Sequence, residues 1–148
     1  MGPSLQRRVA SVLAGLWAGL LLGIGAIGAP AGFAVTTAEI AGRIAGHMFA
    51  TEAYVSLAVA MALLLLTRKA IAVEAGEPAA PALNTNVLLV LGTLFCTITG
   101  YFVIQPMMAA ARAGAGSLSF GTLHGISAAF FVLKGLLVFA LAWRLTAR

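Results

Sequence analysis

His47 and His124 are the only histidines among 148 residues. Each follows a proline at nearly the same distance, Pro30 before His47 and Pro106 before His124. Imidazole suits copper, iron and zinc, and thioether sulfur suits Cu(I). Met48, Met107 and Met108 stand near these histidines, whereas Met1 and Met61 lie elsewhere. The sharpest chemistry on offer is therefore a metal site drawn from His47, His124, Met107 and Met108. It would capture copper, or the two histidines would ligate haem axially. One shared ion needs both imidazoles at about 2 Å from it. His47 and Met48 are sequence neighbours, about 100° apart on a helix, so a single ion would not readily take both. A structural reading stands beside the metal one. Methionine fills gaps between apolar helices. A proline at position 106 frees the Phe102 carbonyl, which a buried His124 could bond.

Lys134 is the second chemical candidate, a cation well inside the last apolar run. It follows His124 by ten residues, about 80° around a helix. With His124 and Ser127 on one cavity it would hold an acidic small molecule, such as a haem propionate, or pass protons. The competing reading is a long stem that snorkels to the headgroups. Glu52 is the acidic residue inside an expected span. It falls in the outer half of its helix and Lys134 nearer the inner half, so a direct pair is open but not favoured.

The elements that carry these residues belong in a membrane. The chain is 61% hydrophobic and 9% charged, with mean hydropathy +1.05. A soluble domain carries about 25% charged residues. A spanning helix needs about 20 mainly apolar residues, and residues 9–29, 48–66, 87–108 and 120–143 each supply such a run. The first run is too long for the core of a signal peptide, about 7–15 residues. The expected fold is an all-α polytopic four-helix bundle, one membrane domain made of two hairpins. Net charge +5 comes from basic residues at the ends of apolar runs, so it reads as topology and headgroup anchoring and gives no basis for nucleic-acid binding. Arg7, Arg8, Arg68, Lys69, Arg144 and Arg148 fall on one side, Arg43 and Arg112 on the other. The positive-inside rule then places both termini in the cytoplasm. Cys96 is the single cysteine, which excludes an intrachain disulfide and a CxxC metal site.

Local signals refine the helices. Thr36-Thr37-Ala38-Glu39 fits a capping box with Thr36 as cap. Glu39, Arg43, His47 and Thr51 then share one face, with room for an ion pair. Residues 70–81 read as a flexible connector. Asn84 or Thr85 could cap the third helix, and residues 112–117 make a tight turn. Gly15, Gly19 and Gly23 form two overlapping GxxxG steps, and Gly42/Gly46 and Gly121/Gly125 repeat the spacing. Such small residues let helices approach closely in lipid. The proline-then-histidine order in both hairpins suggests a parallel repeat that brings His47 and His124 towards a common pocket.

Four stretches carry a family resemblance: Leu16-Trp17-Ala18-Gly19; Ala29-Pro30 with Phe33; Ala41-Gly42-Arg43-Ile44-Ala45-Gly46 with Phe49; and Phe120-Gly121-Thr122-Leu123-His124-Gly125-Ile126-Ser127. With them the chain resembles the bacterial proteins similar to human transmembrane protein 205, a four-helix family with a domain of unknown function. It resembles more distantly the copper-resistance D superfamily, which includes the HemJ-type protoporphyrinogen oxidase. The resemblance implies a bacterial inner-membrane protein, with copper handling or haem-linked redox chemistry. Two functional expectations follow. One is a membrane protein that binds copper or haem near the periplasmic side through His47, His124, Ser127, Lys134, Met107 and Met108. The other is a non-catalytic accessory subunit, in a homo-oligomer or a larger membrane complex.

Overall fold

A computed structural model describes residues 3–75 and 83–147. Every element in it is helical. Helix α1 (Pro3–Leu22) widens into a π-helical segment (Gly23–Gly28) and continues as α2 (Ala29–Val35). Helix α3 is Ala38–Ala75. Helix α4 (Thr85–Thr97) widens at Ile98–Val103 and continues as α5 (Ile104–Arg112), and α6 is Phe120–Thr146. Four stretches are long and apolar enough to cross a membrane: Ser4–Val35, Ala38–Arg68, Thr85–Arg112 and Phe120–Thr146. The shortest has 27 residues, about 40 Å at 1.5 Å per residue, against a hydrocarbon core of about 30 Å. Large apolar side chains are exposed on every span, Leu16, Val55, Leu91 and Leu136 among them. In water this surface would be a liability; in a bilayer it faces solvent of its own kind.

The spans close into a ring. Helix α1 packs on α3 and α6, and α4 packs on α3 and α6, so α3 and α6 face each other across the diagonal. Trp17, Leu21, Leu63, Val90, Val138 and Leu141 fill the core of this closed part. Beyond the two π segments the hairpins part company. Helix α2 packs on α3, and α5 on α6. The second hairpin has its own small core there, built from Ile104, Met108 and Leu123.

Both π segments stand just before a proline. Proline cannot donate to the carbonyl four residues back and its ring crowds that carbonyl. A wider turn absorbs the conflict. The Ala29 and Ile104 amides accordingly reach back five residues, to the carbonyls of Ile24 and Thr99. Phe130 and Phe131 of α6 pack into these segments at glycines. A Cβ on Gly100 would stand 2.7 Å from Phe130 Cβ, and one on Gly25 would stand 2.6 Å from Phe131 Cε1. Gly100→Ala therefore drives two backbone-anchored atoms together and is expected to cost about 1–3 kcal/mol. At Gly28 the intruding atom is the free end of Met48, which can swing aside. Unfolding in a detergent titration should show Gly100→Ala well below the parent and Gly28→Ala close to it.

The caps differ from expectation by small steps. Thr37 rather than Thr36 caps α3, its Oγ1 accepting from the Ile40 amide at 3.4 Å, because the helix starts one residue later than the capping-box spacing implies. Asn84 caps α4, accepting from the Val87 amide at 2.8 Å. Ser119 caps α6 in the same way through Thr122. The turn before it needs glycine at Gly114 and Gly116, whose φ angles are +74° and +108°. Helix α3 runs on through Ala75, into the stretch expected to be a connector, and 76–82 lies outside the described residues.

Candidate functional site

The chemistry-bearing side chains inside the bundle converge on one polar centre. Glu52 lies fourteen residues beyond the start of α3, and Lys134 fourteen beyond the start of α6. Hence both sit about 21 Å along parallel helices and meet at one depth. Lys134 Nζ donates to Glu52 Oε1 at 2.9 Å and to Oε2 at 2.7 Å. This pair was not favoured from the sequence, which placed the two residues in opposite halves of the membrane. The error came from counting span two from Met48 instead of Ala38. The long side chains bridge the diagonal of the ring, and both residues are at most 3% exposed.

Further groups complete the centre. Ser56, one turn beyond Glu52, donates its hydroxyl to Glu52 Oε1. Trp17 Nε1 of α1 donates to Ser56 Oγ at 2.9 Å. Lys134 Nζ also lies 5.1 Å from the centroid of the Phe131 ring, a cation–π distance. Helix α4 also buries Thr93, Cys96 and Thr97, but the two threonine hydroxyls bond backbone carbonyls of their own helix. A charge in a bilayer is costly unless partnered, and here each charge partners the other. Sequence reasoning missed Trp17 and Ser56. The usable signal was the spacing of four between Glu52 and Ser56, which puts carboxylate and hydroxyl on one helix face.

The other expected site residues do not gather here. His47 is exposed in the third turn of α3, and its side chain makes no hydrogen bond among the described residues. His124 is exposed in the second turn of α6 and stacks on Phe120, with centroids 5.8 Å apart and planes at 17°. It is therefore not the buried histidine that would bond the carbonyl freed by Pro106. Ser127 instead donates to the Gly100 carbonyl at 2.7 Å, within the π segment. Met108 is buried against Ile104 and Leu123, whereas Met107 is 43% exposed, so the two sulfurs meet different surroundings. Met48 packs against Gly28. The two histidines lie on hairpin ends that pack within themselves. Among the described residues no three His, Cys, Asp or Glu side chains come together. Glu39 and Arg43 are both exposed and form no ion pair among the described residues.

Fold and site define an all-α integral membrane protein with four spans around a buried ion pair. The chain belongs to the family described as "Domain of unknown function (DUF4149)", whose model matches residues 12–117. The matched stretch includes Trp17, Glu52 and Ser56 and ends before the helix that carries Lys134. Comparison with curated proteins and with solved structures finds no match.

Proposed function

We propose that this chain is a non-catalytic membrane subunit that works by holding a second transmembrane bundle against its own, its natural partner being another copy of itself. One observation carries this reading. The glycines used for internal packing are Gly25, Gly28, Gly92 and Gly100, each with a side chain of this chain lying where a Cβ would go. Gly15, Gly19 and Gly23 are not used in that way, since a Cβ on any of them meets nothing within 4 Å among the described residues. Gly42, Gly46 and Gly125 are open as well, but the first span lines up three open glycines at steps of four. Their spacing leaves a flat strip along the first span, flanked by exposed Val12, Leu16 and Leu20. Where lipid removes the hydrophobic drive, such strips let two backbones approach and gain dispersion contacts. A two-fold axis along the membrane normal would set the same strip against itself, so two copies suffice. Gly19→Leu fills the strip without touching the core. Energy transfer between labelled copies in vesicles should fall to the level of a lipid-dilution control in this variant and stay above it in the parent. Equal transfer in both overturns the reading.

Metal or haem binding is the second reading, with both termini in the cytoplasm of a bacterial inner membrane. It is supported by two exposed imidazoles without hydrogen-bond partners among the described residues and by the sequence resemblance to the transmembrane protein 205-like and copper-resistance D groups. On this reading, copper or iron would accompany the protein purified from membranes and vanish in His47→Ala/His124→Ala. Equal metal in parent and variant rejects it.

A further inference from the structure

The turn end of the second hairpin carries a cation, Arg112, that no acid of its own hairpin balances. All four acidic residues, Glu39, Glu52, Glu74 and Glu77, precede position 78, so the second hairpin has none. Arg112 closes the third span and Phe120 opens the fourth, and spans of about 40 Å against a core of about 30 Å leave room for such end residues among the headgroups. There the Arg112 guanidinium carbon lies 4.3 Å from the centroid of the Phe120 ring. His124 stacks on the same ring. Phe120 itself is anchored, because it packs against the Ile104, Met108 and Leu123 cluster. The ring thus braces the guanidinium near the span ends and also carries an imidazole. Guanidinium donors match phosphate oxygens in a fixed fork, and less ordering is lost when the fork is held beforehand. The Ser119 and Thr122 hydroxyls of the same turn and first helical turn bond each other at 2.9 Å, which leaves one hydroxyl proton to donate.

We propose that Arg112, Phe120 and His124 form a headgroup site for an anionic phospholipid. The phosphate accepts from the braced Arg112 guanidinium, with His124 on the same ring at its edge, and the acyl chains run down the exposed apolar surface of the second hairpin. Arg43 at the turn end of the first hairpin lacks this arrangement. It has Glu39 one helical turn away and no ring contact.

Native mass spectrometry of the delipidated full chain in detergent, titrated with phosphatidylglycerol or phosphatidylcholine, tests the site. The parent should prefer phosphatidylglycerol. Arg112→Gln should weaken that lipid about fivefold, the scale expected for one basic residue at a charged surface, and leave phosphatidylcholine unchanged. Phe120→Leu keeps the charge but removes the platform, and should weaken it to a smaller degree. Arg43→Gln should bind as the parent does. Equal phosphatidylglycerol binding by parent and Arg112→Gln overturns the proposal. So does complete displacement of the lipid by millimolar inorganic phosphate, which would make the site a free-phosphate receptor.

Discussion

Replacing Lys134 alone by methionine is expected to lower the stability of the bundle by about 3–5 kcal/mol, and Glu52→Met alone should do the same. Each single change leaves a charge at most 3% exposed without its partner. The double variant Glu52→Met/Lys134→Met should return to within about 1 kcal/mol of the parent or exceed it, because two flexible apolar chains replace two charges that had to be desolvated. Ser56 keeps the Trp17 donor and can turn its own hydroxyl to a carbonyl one turn back. A thermodynamic cycle from unfolding in mixed micelles gives the coupling. If the singles cost little and the double costs their sum, the pair is not coupled and its geometry is not what holds the diagonal. Recovery in the double would say that the pair confers register rather than net stability. Each hairpin carries one charge of the pair, so a slipped arrangement strands both.

Trp17→Ala should have a comparable effect for a different reason. Trp17 is 2% exposed and is among the largest side chains of the core, touching the cluster that joins α1, α3, α4 and α6. Truncation opens a void that the neighbours cannot close, at about 3–5 kcal/mol. Trp17→Phe retains most of the volume and loses only the indole donor to Ser56. Interhelical hydrogen bonds in membranes average about 0.6 kcal/mol, so Trp17→Phe should lose about that much. Thermal unfolding of the two variants in one detergent separates packing from hydrogen bonding. Equal losses would mean that the bond, not the volume, carries the residue.

The fold was legible because hydropathy is a direct statement about solvent. Four long apolar runs with basic ends admit few arrangements, and the spans follow from them. The cap at Asn84 was readable among two options. Thr36 was preferred over Thr37 because the acidic residue three positions on fits the box, yet the helix begins where the backbone leaves its extended turn. The π segments were not legible. Pro30 and Pro106 announce a conflict, but its resolution depends on Phe130 and Phe131 entering from another span. The ion pair was hidden for a geometric reason. Depth in the bilayer was counted from where hydropathy rises, whereas side chains are placed by where helices start. His47 and His124 drew attention as the two imidazoles in an apolar chain. A polar residue near a span end has water and headgroups to face, and both are exposed.

Cysteine cross-linking in native membranes shows whether the open glycine strip holds two copies together. Cys96 is buried and the chain has no other cysteine, so Cys96→Ala gives a clean background. Single cysteines at Gly15 and Gly19 should trap covalent dimers with a short thiol-specific linker. One at Leu136, equally turned to lipid but on the fourth span, should not. Dimers at Leu136 as abundant as those at Gly15 and Gly19, or none at either glycine, would contradict the account.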